Sequence, residues 1–228
     1  AAVPMGAAQR PSFLATVAQL MRNRRYRLLV LLSGVFGMTI FGPVAFLPAF
    51  FVRSHGLPMG VVGAWSGIAI GLGMASGVIA GGALADRMTP GGAERPQWLC
   101  AIAMLLSALA FVAVFTLDDH RWAFAATFIA TAFGSIGSPV IATAIQNESP
   151  PQVRAVAASL GTLCVSFLGI GLAPLLIGVL SDSFAATRAQ ESLRYALLWS
   201  LLLCLLTAAL HLRLGGLLRA ARTEVRAG

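Results

Sequence analysis

The sequence predicts an all-α membrane protein of six transmembrane helices, built as a 3+3 inverted repeat. The first observation behind this is composition: 58% of the 228 residues are hydrophobic and 11% charged, where a soluble domain carries roughly 25% charged residues, and mean hydropathy is +0.84. The second is that six stretches, 28–52, 60–84, 97–117, 122–146, 155–180 and 195–212, contain no Asp, Glu, Lys or Arg. A spanning helix needs about 20 mostly apolar residues, whereas a β-barrel would show alternating segments of about 10. The third is an internal echo. Gly82-Ala83-Leu84-Ala85-Asp86 recurs as Gly178-Val179-Leu180-Ser181-Asp182, and Gly42-Pro43-Val44 recurs at the same offset as Ser138-Pro139-Val140. Two matches in one register indicate a duplicated unit.

The chain begins at Ala1 without a signal-peptide pattern and reads as a piece of something longer. Residues 1–27 are expected to form a cytoplasmic linker with an amphipathic helix. Pro4 and Pro11 mark the linker, Ser12 is a plausible N-cap, and Phe13, Leu14, Val17, Leu20 and Met21 share one helical face. The Arg22, Arg24, Arg25 and Arg27 cluster suits either an anionic leaflet or solvent.

Span one (28–52) carries Pro43 and Pro48, and span four (122–146) carries Pro139; each proline frees a carbonyl and is expected to bend its helix. Interruptions at matching positions of two repeats point to a transporter cavity. Span two (60–84) holds two small-residue ridges, Gly63, Gly67, Gly71 and Gly73, Gly77, Gly81, which let helices approach closely in lipid. Cys100, Cys164 and Cys204 lie singly in spans three, five and six and read as small buried hydrophobes. His55, His120 and His211 sit at span ends and read as interfacial or loop residues, with a gating role open to His55 beside Arg53. Residues 213–228 are expected to be a basic cytoplasmic tail.

The net charge of +8 comes from sixteen arginines and no lysine. Twelve arginines flank the spans on the side of the termini and four, Arg53, Arg121, Arg188 and Arg194, lie opposite. That bias predicts cytoplasmic termini and argues against a nucleic-acid partner. An odd number of spans separates the two copies of the G-x-L-[AS]-D motif, so Asp86 is expected at the cytoplasmic face and Asp182 outside, with Ser183 where the first copy has Arg87.

Gly82-x-Leu84-Ala85-Asp86-Arg87 resembles the loop signature after the second or eighth helix of the major facilitator superfamily. Glu148 through Pro151 to Arg154-Ala155 resembles its junction between helices ten and eleven. The resemblance covers nearly the whole chain as helices seven to twelve, half of a major facilitator fold. It is narrower to the spinster-like branch over Phe46–Gly56, Gly63–Arg87, Gly169–Asp182 and Ser192–Leu198. It implies a secondary transporter moving an amphiphilic or lipid-like small molecule by alternating access. The expected partners are membrane lipids, an N-terminal six-helix half and the cargo; no cofactor and no metal are expected.

The site expectations are two. Gly82, Asp86 and Arg87, with Glu148 and Arg154, would form a cytoplasmic latch: Asp86 accepts from the N–H groups opening span five, and Arg87 pairs with Glu148. A solvated turn that only sets topology is the alternative. The chain departs from the family pattern after Arg87, where Met88-Thr89-Pro90-Gly91-Gly92 replaces a Gly and a basic pair, which leaves a full arginine clamp unsupported. The cavity candidates are the polar Thr39, Ser135, Ser138, Thr143, Gln146, Asn147, Thr162 and Ser166, with Phe36, Phe41 and Phe46 for apolar cargo; helix packing is the other role open to each. With no ionisable residue expected inside the spans, an intramembrane enzyme has no nucleophile–base or metal set. A six-helix channel would show a filter loop or charged ring, and a dimerising half-transporter is the remaining alternative.

Overall fold

A computed structural model describes residues 13–227; the expected linker 1–11 and the Ser12 cap lie outside them. Helix α1 (Phe13–Arg22) leads into α2 (Arg24–His55) through Asn23, whose side chain accepts from the Arg25 and Tyr26 N–H groups. Only Thr16 and Leu20 of α1 are buried, while Phe13 and Leu14 are exposed. α2 is span one; Pro43 and Pro48 are taken into one uninterrupted helix of 32 residues. It ends at Gly56 in the left-handed conformation (φ 64°), where a β-carbon would be strained.

Span two is α3 (Met59–Met88) followed by a 3₁₀ turn at Thr89–Gly91, and span three is α4 (Glu94–Thr116). Span four is split into α5 (His120–Ser135) and α6 (Gly137–Asn147) at Ile136, just before Pro139. Span five comprises α7 (Arg154–Cys164), a π-helical stretch Val165–Leu172, and α8 (Ala173–Arg188). Span six comprises α9 (Ser192–Ser200) and α10 (Leu202–Ala227). Residues 213–227, expected as a tail, thus continue the last helix. Among the described residues, six helices are long and apolar enough to cross a membrane, and the chain is an integral membrane protein.

The packing repeats with the sequence. Span one lies along span five and span four along span two; span six packs on span one as span three packs on span four, and spans three and six pack on each other. Exchanging the first three spans with the last three returns the same pairs. The closest approaches obey the same rule. A β-carbon on Gly73, Gly77 or Gly81 would run into Thr131, Ala132 or Ile136 of span four. Gly169, 96 positions after Gly73, meets Gly37 of span one, where an added β-carbon would lie 2.6 Å from the Gly37 carbonyl carbon. Backbone contact at these crossings gives van der Waals cohesion where lipid removes the hydrophobic drive. The other ridge behaves differently: nothing lies within 4 Å of a β-carbon on Gly63, Gly67 or Gly71.

Two apolar clusters close the bundle ends. Phe50, Phe51, Phe111, Phe115 and Phe124 fill the end with the loop at residue 118, and Tyr26, Leu29, Leu32, Ile145 and Leu214 fill the end with the chain termini. Burial is uneven across the spans. Only 22% and 17% of the most apolar windows of spans two and five are buried, against 44 to 61% in the other four.

Candidate functional site

The uneven burial locates the cavity. Spans one, two, four and five leave a space of about 290 Å³ between them, open where Val78, Ser138, Ala142, Gln146 and Thr162 are exposed. Six of the candidates from the sequence line it: Phe36, Phe41, Ser135, Ser138, Gln146 and Thr162. Ser33, Met74, Val78 and Ile141 complete a wall that is mainly apolar with a few polar groups, the general make-up of a small-molecule site. The break at Ile136 explains the polar edge. Because α5 stops and α6 restarts there, Ser135 is turned inward; it is 2% exposed and its hydroxyl has no hydrogen-bond partner in the chain.

The other five candidates lie elsewhere. Thr39 is buried between spans one and six, its hydroxyl 2.8 Å from both the Val35 carbonyl and the Thr207 hydroxyl. Phe46 packs with the aromatic cluster at the far end. Ser166 is exposed on the π-helical stretch. Thr143 and Asn147, a turn or more beyond Ser138 on α6, line a separate crevice of about 110 Å³ at the end with the termini. In each case helical phase, invisible in a list of polar residues, turns the side chain away from the opening.

That crevice also holds Gly82, Asp86 and Glu148. The expected Arg87–Glu148 pair is not formed. Glu148 instead receives Arg25 at 3.5 Å and the Asn23 amide at 3.4 Å, because the Asn23 cap fixes the first turn of α2 directly over it. Arg154 donates from Nε to the Gln146 carbonyl at 3.1 Å, satisfying a terminal carbonyl of α6. Among the described residues, Asp86 and Arg87 make no ion pair. Asp86 therefore shares the crevice with Glu148, a second carboxylate, and does not reach the start of α7.

Two polar groupings were not legible in the sequence. His211, expected at a span end, is completely buried because α10 continues for four more turns. Its Nδ1 stands 2.8 Å from Gln97 Oε1, so Nδ1–H donates and Nε2 presents a lone pair. Nε2 has no partner; it faces Gly137, whose added β-carbon would lie 3.4 Å from it and 2.9 Å from the Phe36 ring. His211 thus stands directly behind the cavity wall. The spacing Thr207, His211, Leu214 was the available signal, since all three are 0% exposed and share one helical face. The second grouping is at the end of the last helix, where Arg222 donates to Glu94 at 3.2 Å and to the Gly91 carbonyl, tying α10 to the loop after span two. At the opposite end, His55 Nδ1 contacts the Asp118 carbonyl at 3.2 Å and its ring packs on Phe50, Phe51 and His120.

A family model described as the Major Facilitator Superfamily matches residues 3–174. An MFS-type efflux pump of Mycolicibacterium smegmatis is 33% identical over 174 residues, which cover 73% of this chain and 37% of the pump. Among solved structures, the chain is similar to a bacterial homolog of the human lysosomal transporter Spinster in its inward-facing, unoccupied conformation. That similarity has a TM-score of 0.83 at 18% identity, covering 96% of this chain and 53% of the other. The occupied form gives 0.72 at 20%, covering 86% and 50%. The E. coli fucose:proton symporter gives 0.65 at 17%, covering 88% and 46%. The chain spans about half the length of these solved structures and just over a third of the curated pump.

Proposed function

This chain belongs to the major facilitator superfamily, and we propose on that premise that it forms the C-terminal half of a secondary active transporter. The cargo is a small amphiphilic molecule, bound between this half and an N-terminal six-helix half and moved by alternating access. The observation that carries the reading is the coincidence of three features on one face: the 290 Å³ cavity, the bare apolar helices of spans two and five, and the open Gly63, Gly67, Gly71 ridge. The small-residue ridge in that face lets a second helical body approach closely, and coverage of about half of the solved transporters supports the same arrangement. The lining suits an amphiphile: Phe36, Phe41 and Met74 for its apolar part, Ser135, Ser138 and Gln146 for its polar part. The termini lie in the cytoplasm in this reading, with the protein in a bacterial inner membrane.

Alternating access is tested with a single cysteine at Ser138, with Cys100, Cys164 and Cys204 replaced, in the reconstituted complete transporter. An impermeant thiol reagent is expected to reach Ser138→Cys from either face, with cargo or inhibitor shifting the two rates in opposite directions. Labelling from one face only, in all conditions, would sink the proposal.

A further inference from the structure

A larger groove of about 690 Å³ lies between α3 and α5, near the end of the bundle with the loop at residue 118. It is distinct from the transport cavity. Met74 and Val78 of α3 face the cavity, Trp65, Ile68 and Leu72 face the groove, and the row Ser66, Gly73, Gly77 packed on α5 runs between them. Phe124 and Phe128 of α5 form the opposite wall, with the Trp65 and Phe124 rings 6.4 Å apart. Below the mouth the Trp65 indole N–H is the one side-chain hydrogen-bonding group among the lining residues, and an apolar groove of this kind on a membrane-spanning helix pair takes an acyl chain or a protein segment.

The mouth selects the occupant. Arg121 and His120 stand there, and Arg121 is exposed and makes no ion pair among the described residues. Of the two neighbouring acids, Asp119 caps the helix by accepting the Arg121 backbone N–H at 2.8 Å, and neither Asp118 nor Asp119 lines the groove. The length sets how much chain fits. Val61 to Leu72 spans about 16 Å at roughly 1.5 Å per residue, close to half of the ~30 Å hydrocarbon thickness. We infer that this groove is a binding site for an anionic glycerophospholipid of one leaflet, its acyl chain lying along Trp65, Ile68, Leu72 and Phe124 and its headgroup held by Arg121.

Trp65, 56% exposed in the groove, is a built-in reporter. The complete transporter and its Trp65→Phe variant are reconstituted in phosphatidylcholine vesicles containing a minor fraction of lipid with brominated chains, carrying either phosphatidylglycerol or phosphatidylcholine headgroups. The fluorescence lost in Trp65→Phe should be quenched about fivefold more effectively by the brominated phosphatidylglycerol, the preference one cation gives near a membrane surface. Arg121→Gln should equalise the two lipids and Arg121→Lys should keep the preference. Equal quenching in the unaltered protein overturns the inference in favour of ordinary bulk lipid. Absence of quenching by either lipid overturns it in favour of a protein segment filling the groove. A fall in quenching by both lipids in Arg121→Lys and Arg121→Gln alike would assign Arg121 a structural role and overturn the headgroup contact.

Discussion

At the scale of single residues, one amino acid type has opposite consequences on the two sides of one helix. A β-carbon on Gly77 would run into the backbone of Ala132, whereas one on Gly67 would meet nothing within 4 Å. Gly77→Ala is expected to lower stability by about 1–3 kcal/mol through overpacking, measured by thermal denaturation in detergent. Gly67→Ala should stay within about 0.5 kcal/mol in the isolated half; in the complete transporter, a bulkier Gly67→Leu should cut transport while leaving the protein folded. The sequence showed both ridges by their four-residue spacing, yet spacing is the same for a ridge against a neighbour and a ridge awaiting one. The His211–Gln97 contact is a sharper case. Removing one partner leaves the other buried and unpaired, so Gln97→Leu should cost about 1–3 kcal/mol. The double variant with His211→Leu should recover part of that loss, which a double-mutant cycle measures. If the two losses simply add, the pair is not coupled.

At the scale of elements, two helix interruptions shape the chemistry, each just ahead of a proline, Pro139 in span four and Pro174 in span five, while two other prolines leave no break. Pro43 and Pro48 are absorbed in α2, while span four breaks at Ile136 and span five winds into a π-helical stretch. Proline marks a missing donor; whether the helix bends depends on whether neighbours supply the packing to hold it straight. The same dependence applies to the junction at Asp86. Arg25, on the first turn of α2, occupies Glu148, a partly exposed pair of the kind that contributes up to about 1 kcal/mol. Asp86 adds a second carboxylate to that crevice. If Asp86 takes part in a latch that breaks and reforms during transport, Asp86→Asn should change the ratio of inward- to outward-accessible protein, read by labelling at Ser138→Cys, with folding unaffected. An unchanged ratio and unchanged transport would leave Asp86 as a topology marker alone.

At the scale of the whole molecule, the contact pattern of the first three helices on the last three is reproduced by exchange, and the backbone crossings at Gly73 and Gly169 are its clearest marks. Inverted repeats require opposite orientation of the two copies. A cysteine at the exposed Ala185 should react with an impermeant thiol reagent from outside intact cells, and one at the exposed Ala93 only after permeabilisation; the reverse result would invert the topology.

The six-helix class and the family were legible because the bilayer imposes its requirement on every residue of a span: uncharged runs of fixed length and a repeated loop motif survive without knowledge of any contact. The direction of each side chain was not, because helical phase, a break at Ile136 or four extra turns after His211 are settled by packing between distant segments. The sequence therefore determined that this chain is half of a major facilitator fold, down to the echo of Gly82-Ala83-Leu84-Ala85-Asp86 at Gly178–Asp182. Only the tertiary structure decided that six of eleven candidates share one cavity, that Glu148 belongs to Arg25, and that an unpaired histidine nitrogen stands behind Phe36. Those outcomes rest on which surfaces meet, and pairing between residues more than a hundred positions apart leaves no periodic mark along the chain.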